Sequence, residues 1–299
     1  MINHTNNKQE CHIIKKEKTD KLISKIENLV INKQYQEATS TLKSLINEKK
    51  YNPKIYSLLG DILQNISKID AIHYYEEGLS IYPKDPHLNI GLGFLYFSNK
   101  DYHNSEKYIL NIWVEDPTNI KLLTALGKIY KSRKQFEKAM KYFRICELLD
   151  PNNSFALYGL ADTYRGLGDN DNALKYWLKF HGIEPANKVA LTRIGDCFAK
   201  AGNKDKAVLF YNKALDIGYD FFAHIGIAKI YIANDRIDKA IEIYEKLQQS
   251  ENNNSRYYYE YITCCFQSAQ KDKAIQLYNK AIALFPGNAQ IQSLVEKFI

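Results

Sequence analysis

The chain has 299 residues, a formal net charge of +7, and apolar and charged fractions of 45% and 25%. These values exclude a fibrous or wholly disordered chain, and so small an excess of basic residues is weak support for nucleic-acid binding. Glycine and proline are sparse, at 14 and 7 residues, and helix-forming residues are plentiful. The composition therefore predicts an all-α protein.

The first 18 residues are polar and contain no apolar segment of the length found in secretory signals. No later segment approaches the roughly 18 consecutive apolar residues of a membrane helix. We therefore predict a disordered tail over residues 1–18 and a soluble, cytoplasmic chain, which reaches a membrane only if a partner recruits it.

From residue 71 onward the sequence repeats at steps of 34 residues, with an occasional step of 33. One ladder consists of small residues: Ala71, Ser105, Ala139, Ala173, Ala207, Ala240 and Ala274. Four residues after each comes a large apolar side chain: Tyr75, Ile109, Phe143, Trp177, Tyr211, Tyr244 and Tyr278. Three residues further on stand Gly78, Ile112, Cys146, Phe180, Ala214, Leu247 and Ala281. This spacing predicts one buried stripe on a helix, and the small residue lets a neighbouring helix approach closely.

A second ladder runs in phase with the first and predicts another packed helix. It pairs a large residue with a small one at Leu92-Gly93, Leu126-Gly127, Leu160-Ala161, Ile194-Gly195 and Ile227-Ala228. Three residues after each pair stands an aromatic: Tyr96, Tyr130, Tyr164, Phe198 and Tyr231. A proline that cannot continue a helix ends four of the periods, at Pro83, Pro117, Pro151 and Pro185. Each period therefore predicts a helix, a turn, a second helix and a loop.

A 34-residue unit with this pattern resembles the tetratricopeptide repeat, whose signature is W-x2-L-G-x2-Y, then A-x3-F, then P. The resemblance covers residues 19–288 and implies an α-solenoid, a right-handed superhelix of about eight helix-turn-helix repeats. Residues 289–299 are expected to form a C-terminal capping helix. The predicted repeats span residues 19–52, 53–85, 86–119, 120–153, 154–187, 188–220, 221–254 and 255–288.

The stretch GLGDNDNALKYW, residues 166–177, is the best candidate for a ligand-binding loop. Its acidic and amide residues do not fit a calcium loop, which requires Gly at the sixth position and Glu at the twelfth, where Leu174 and Phe180 stand. A phosphate-binding loop would follow a strand, whereas a helix is predicted here. We interpret Gly168 as the left-handed residue that ends a first helix, and 169–172 as the start of the second.

No grouping of residues in the sequence is typical of acid-base, nucleophilic or metal catalysis. The five cysteines form no C-x-x-C pair, and the spacing of Cys11, His4 and His12 matches no zinc motif. We predict a non-enzyme with no cofactor, metal site or small-molecule substrate. Buried positions are expected for Cys146, Cys197 and Cys265, and partial exposure for Cys264.

The family resemblance implies that the first helices line a concave groove that binds a protein segment. Positions carried over from the family put apolar residues beside basic ones, which favours an acidic, partly apolar partner. The predicted groove residues are Phe94, Phe97, Lys121, Lys128, Lys131, Tyr158, Arg165, Lys200 and Lys229. The same positions include Ile90, Thr124, Phe155, Asp162, Thr192, Asp196, Phe222 and Ile225.

These features favour a protein-protein interaction scaffold or adaptor, and family analogy suggests a bacterial envelope, secretion or flagellar assembly. The alternative is a helical-repeat RNA-binding protein with a basic, aromatic groove. Residues at the groove positions vary from Asp to Phe between repeats, which favours protein over RNA. The tyrosine-rich run RYYYEY, residues 256–261, fits either the core or a contact patch.

Overall fold

The computed structural model describes residues 21–49 and 52–298, and every regular element within them is a helix. The predicted tail over residues 1–18, with Cys11, lies outside the described residues. Helix α1 covers residues 21–31. The later helices are α2 (Tyr35–Asn47), α3 (Pro53–Leu63), α4 (Lys68–Ile81), α5 (Pro86–Ser98), α6 (Tyr102–Trp113), α7 (Ile120–Ser132), α8 (Phe136–Leu149), α9 (Ser154–Leu167), α10 (Asn170–Ile183), α11 (Lys188–Lys200), α12 (Lys204–Ile217), α13 (Phe221–Ile232), α14 (Ile237–Leu247), α15 (Ser255–Gln267), α16 (Lys271–Leu284) and α17 (Ala289–Phe298).

The helices form two compact units, one ending at Pro151 and the other beginning at Asn152. In the first unit the most extensive contacts join α3 to α4, α5 to α6 and α7 to α8. In the second unit they join α9 to α10 and α11 to α12. In each of these pairs we call the earlier helix the first helix and the later one the second helix, and we extend the names to α13/α14 and α15/α16. The repeat bounds and the number of repeats remain predictions from the sequence.

Asparagine or aspartate begins the first helix of each pair from α3 to α15. The side-chain oxygen accepts a hydrogen bond from a backbone N–H in the first turn, which would otherwise lack a partner. These N-cap residues are Asn52, Asp85, Asn119, Asn153, Asn187, Asp220 and Asn254. They recur at the repeat spacing and give each first helix a fixed start.

A residue in the left-handed conformation lies in the turn between the two helices of most pairs. Gly168 and Gly202 have φ of 79°, which confirms the turn predicted at residue 168 and places the start of α10 directly after Asp169. The equivalent residues in other pairs are not glycine. They are Lys100, Lys134, Asp235 and Ala269, with φ between 58° and 62°.

The small residues of the first ladder are all buried with 0% exposure, as predicted. The large side chains that follow them from Tyr75 to Tyr244 are buried as well. Tyr278 is an exception, because it is half-buried and Leu277 takes the buried place beside it. On α17, Ile291 and Leu294 join the apolar cluster of the last two helix pairs.

The tyrosine-rich run belongs to the core, because Tyr257, Tyr258 and Tyr261 are at most 1% exposed. Cys264 is also completely buried, so the prediction of partial exposure was wrong. The reason is that α15 contacts α14, α16 and α17, which together cover more of its surface than one partner helix would. Among the described residues, no helix has the combination of length and apolar character needed to span a bilayer.

Candidate functional site

In the second unit, the ring of Tyr211 reaches between two first helices. A Cβ atom added at Gly195 of α11 would lie 2.6 Å from the ring, and one added at Gly226 of α13 would lie 2.3 Å from it. Only glycine fits at such distances, so these two residues create the space that the ring occupies. The Tyr211 hydroxyl emerges beside α11 and donates to Oδ1 of Asp196 at 2.9 Å.

Asp196 connects this buried tyrosine to the exposed face of the first helices. Its Oδ2 accepts a hydrogen bond from Nη1 of Arg193 at 3.0 Å. Burial, and then the negative charge of Asp196, raise the pKa of Tyr211 well above its ordinary value, so the hydroxyl stays protonated and remains a donor. A core residue thereby fixes the carboxylate that holds Arg193.

An exposed aromatic ring lies next to this pair. Phe222, at the start of α13, is 45% exposed. The guanidinium of Arg193 lies 5.9 Å from the ring centre, and the guanidinium of Arg256, on α15, lies 5.7 Å from it. Such distances are typical of cation–π contacts. The ring is therefore contacted by cations from the first helices on either side of it in the chain.

Glu260 pairs with an arginine of its own helix, α15, as Asp196 does on α11. It lies 3.6 Å from Arg256 and 2.7 Å from Lys229, and its side chain is only 11% exposed. We call Arg193, Asp196, Phe222, Lys229, Arg256 and Glu260 the Phe222 cluster. Three cations and two anions give the cluster a net charge of +1.

The other groove residues predicted in the second unit differ in their environment. Tyr158 is half-buried, and its ring lies 4.9 Å from Trp177 and 5.5 Å from Phe180 in edge-to-face contacts. Burial raises its pKa. Arg165 forms an ion pair with Asp162 at 2.8 Å, whereas Lys200 is exposed. The positive charge of this face is therefore partly neutralised by neighbouring acids.

In the first unit, Phe94, Phe97 and Lys128 line a narrow recess together with Ser105, Ile109, Ala125 and Ile129. Lys121 is exposed, and its Nζ lies 6.0 Å from the ring of Phe94. Burial lowers the pKa of Lys128, and the positive charge of half-buried Lys131 lowers it further. An apolar recess bordered by lysines is thus present on this unit as well.

Three positions predicted for the groove are buried rather than exposed. Thr124 is 7% exposed, and Thr192 and Ile225 are each 3% exposed. The hydroxyls of both threonines donate to backbone carbonyls of their own helices. Thr192 and Ile225 lie on α11 and α13, which contact each other directly, so a residue between them becomes core. Phe155 and Phe222, by contrast, are exposed.

Sequence analysis missed Arg193 because it occupies the sixth position of its predicted repeat, which is not among the groove positions carried over from the family. Arg256 occupies the second position of the eighth repeat, as Phe222 does in the seventh, but the predicted groove residues end in the seventh repeat. A signal was present in the sequence, since Arg193, Phe222 and Arg256 stand near the starts of three successive first helices. Stacking between them depends on side-chain conformations that the spacing alone does not specify.

Among the described residues, no group of three or more His, Cys, Asp and Glu side chains is placed to hold a metal ion. The cysteines at 146, 197, 264 and 265 are free and buried. Burial raises the pKa of Cys146, Cys197 and Cys265 to about 11 and that of Cys264 to about 12. Such thiols remain protonated at neutral pH and are poor nucleophiles.

Crystal structures of several helical-repeat proteins are similar to this chain. A tetratricopeptide repeat protein from Parabacteroides merdae aligns with a TM-score of 0.62 and 16% identity, over 88% of this chain and 98% of the other. PilW, described as a widely conserved type IV pilus biogenesis factor, aligns with a TM-score of 0.63 and 19% identity, over 70% of this chain and 98% of the other. YrrB, described as a TPR protein with an unusual peptide-binding site, aligns with a TM-score of 0.51 and 21% identity, over 61% and 94%. At these identities the likeness shows the fold alone.

Sequence comparison gives the family directly. Models described as tetratricopeptide repeat match residues 120–153, 158–219 and 231–298, which together make up more than half of the chain. Among curated protein sequences, none matches the chain. The helix pairs, the small-residue ladder and these matches agree: the chain is all-α, of the α-solenoid class, and belongs to the tetratricopeptide repeat family.

Proposed function

We propose that this chain is a non-catalytic scaffold or adaptor that binds a segment of a protein partner on the exposed faces of its first helices. Tetratricopeptide repeat proteins are generally interaction modules, and the peptide-binding site named for YrrB supports the same role here. The observation that carries the proposal is the combination of aromatic and basic side chains on these faces, all of them exposed or half-buried. Aromatic residues and arginine are the side chains most enriched at protein interfaces.

Each unit offers such a face. In the first unit it is formed by Phe94, Phe97 and Lys121, with Lys128 and Lys131 beside them. In the second unit it is formed by the Phe222 cluster and by Lys200, with Tyr158 and Arg165 on α9. Basic side chains beside apolar ones suit a partner segment that is acidic and partly apolar.

We further propose that the chain works in a reducing compartment, the cytoplasm, because its described cysteines are free and buried. An assembly at the bacterial envelope, of the secretion or flagellar kind, is supported by the fold shared with PilW, a pilus biogenesis factor. The proposal of an envelope assembly rests on similarity of fold alone. RNA is the competing ligand, but Asp162, Asp196 and Glu260 on the same faces would repel a phosphate backbone.

Position-specific photocrosslinking in the native cell tests the proposal. A photoreactive phenylalanine analogue is placed at Phe94 or at Phe222, and at Leu209 as a control on a second helix. Leu209 is 51% exposed, so the control is at least as accessible as Phe222, which is 45% exposed, and more accessible than half-buried Phe94. We expect a protein to crosslink to positions 94 and 222 and not to position 209, and mass spectrometry identifies it. Crosslinks to RNA alone, or equal protein crosslinking at all three positions, would overturn the proposal.

A further inference from the structure

The Phe222 cluster differs from an ordinary solvated helix face in how firmly its charges are held. An exposed phenylalanine by itself is common on protein surfaces and needs no explanation. Here the ring lies within 6 Å of two guanidinium groups, and each guanidinium is paired with an acid on its own helix. The arginines are thereby restrained before any partner arrives, which reduces the entropy lost on binding.

The restraint extends into the core on one side of the cluster. Tyr211 is 2% exposed and lies in the space left by Gly195 and Gly226, and its hydroxyl holds Asp196. Asp196 in turn holds Arg193. On the other side, Glu260 is mostly buried and bridges Lys229 and Arg256. The position of Arg193 is therefore tied to the packed core, whereas Arg256, whose side chain is 54% exposed, is restrained by its ion pair with Glu260 and its contact with Phe222.

We propose that the Phe222 cluster is the anchor point for a partner segment in which a carboxylate lies next to an apolar side chain. This proposal rests on the proposed function and names the chemistry that the second unit selects. The apolar side chain packs on the exposed part of Phe222. The carboxylate accepts hydrogen bonds from Arg193 and Arg256, because a guanidinium has five N–H donors and the contact of Arg193 with Asp196 is made through Nη1.

Charge explains why a single carboxylate fits better than a nucleic-acid backbone. The cluster contains two acids, Asp196 and Glu260, and its net charge of +1 matches one negative group. A chain of phosphates would place further negative charges beside these acids, and the like charges would repel. A protein segment with one Asp or Glu at the contact point avoids that repulsion.

The test uses the full-length chain and a phage-displayed library of random 12-residue peptides. Selected peptides are synthesised with fluorescein, and their affinities are measured by fluorescence anisotropy. We expect the selected sequences to contain Asp or Glu beside an aromatic or aliphatic residue. Phe222→Ala and Arg256→Gln should each weaken binding about tenfold or more, as for anchor residues of other interfaces. Changing the acid of the peptide to its amide should have a similar effect.

Matched variants separate this anchor from a general effect of mutation. Leu209→Ala removes an exposed apolar side chain of the same unit. Arg236→Gln removes an exposed arginine whose guanidinium lies 5.2 Å from the ring of Tyr231. Both should leave the affinity within about twofold, and circular dichroism should show that all four variants are folded, because only surface side chains change.

The possible outcomes distinguish the two proposals. If peptides are selected but bind the wild-type chain, Phe222→Ala and Arg256→Gln equally, the anchor is wrong and the scaffold function stands. If the library yields no binder, the scaffold function fails and the anchor fails with it. A fluorescein-labelled uridine oligonucleotide is included as a second probe. If this oligonucleotide binds the wild-type chain and Arg256→Gln abolishes the binding, the cluster is an RNA-binding site and the anchor proposal is overturned.

Discussion

Tyr75 in the first unit and Tyr211 in the second occupy equivalent places in their repeats. Each ring lies against two glycines of successive first helices, Gly60 and Gly91 for Tyr75, and Gly195 and Gly226 for Tyr211. Each hydroxyl donates to an aspartate, Asp61 or Asp196. The buried part of the arrangement is therefore the same in both units.

The side chains near the hydroxyl groups of the two tyrosines are different. Three residues before Asp61 stands Leu58, whereas Arg193 stands three residues before Asp196. The second residue of the next first helix is His87 in the first unit and Phe222 in the second unit. One packing arrangement thus supports two surfaces, and only the surface in the second unit combines a held arginine with an exposed ring. The repeat determines the shared core, and a few surface residues distinguish the exposed faces of the two units.

The largest effect on the free energy of unfolding is expected when the shared packing of a tyrosine ring against two glycines is disrupted. A Cβ atom at Gly226 would lie 2.3 Å from the ring of Tyr211, and one at Gly91 would lie 2.6 Å from that of Tyr75. Gly226→Ala and Gly91→Ala should each lower the free energy of unfolding by about 1–3 kcal/mol, as overpacking of a dense core does. Urea denaturation followed by circular dichroism measures both.

Gly182→Ala is the control, because a Cβ atom there would have no neighbour within 4 Å. Gly182 lies in α10, where alanine is favoured over glycine by up to about 1 kcal/mol. The control should therefore be neutral or stabilising. A loss below about 0.5 kcal/mol at one of Gly91 and Gly226 but not at the other would show that the two rings are not held alike.

Removing the hydroxyl groups tests whether the two tyrosines differ in function. Tyr75→Phe and Tyr211→Phe should each cost about 0.5–1.5 kcal/mol, the usual value for one lost hydrogen bond. Only Tyr211→Phe should also weaken binding of peptides selected on the full chain, since Asp196 positions Arg193, whereas no arginine in the described part of the chain pairs with Asp61. Equal losses of affinity in the two variants would contradict the distinction between the units.

Alkaline pH should destabilise both units through the same tyrosines. Burial, and then the neighbouring aspartate, raise the pKa of Tyr75 and of Tyr211 above the ordinary value of 10.0. Above about pH 10 the unfolded chain loses these protons while the folded chain keeps them, so the stabilisation present at lower pH is lost as the pH rises. The urea midpoint should therefore fall between about pH 9 and about pH 11.

Tyr75→Phe and Tyr211→Phe should each make this fall less steep, because phenylalanine does not titrate. If the urea midpoint changes with pH in both variants as it does in the wild type, groups other than these tyrosines cause the loss of stability at alkaline pH. Among these are the buried thiols, whose pKa values are also raised.

The smallest effect on stability is expected for Arg193→Leu, which gives the second unit the residue found at Leu58. Arg193 and Asp196 have side chains that are 28% and 32% exposed, and an ion pair of this kind contributes less than about 1 kcal/mol. Peptide affinity should nevertheless fall clearly. A variant that binds as well as the wild type would show that Arg193 has no part in recognition.

The repeat ladders made most of the fold predictable. The spacing of Ala71, Ser105 and their five equivalents is helical, and all seven are buried, because a close helix contact tolerates only a small side chain there. Gly168 was predictable for a similar local reason, since glycine adopts the left-handed conformation that commonly ends a helix. The matched family models agree with these local patterns.

The candidate site was predictable only in outline. Thr192 and Ile225 lie between neighbouring first helices, a contact that one-helix periodicity does not reveal, and Cys264 lies on a helix with three neighbours. Arg193 and Arg256 meet Phe222 only because three repeats are stacked at one particular rotation. Sequence patterns report which face of a helix is buried, whereas the meeting of side chains from different repeats depends on how the helices are packed.

The left-handed turn residues have a consequence for engineering the thermostability of this protein. Gly168 and Gly202 adopt positive φ without steric cost, but Lys100, Lys134, Asp235 and Ala269 adopt it against the preference of residues with a Cβ atom, at a cost of about 1 kcal/mol each. Glycine at these four turns should recover part of that cost, less the extra freedom it gives the unfolded chain. None of the four belongs to the Phe222 cluster, so a consensus version of the chain could gain heat resistance while the cluster stays as it is.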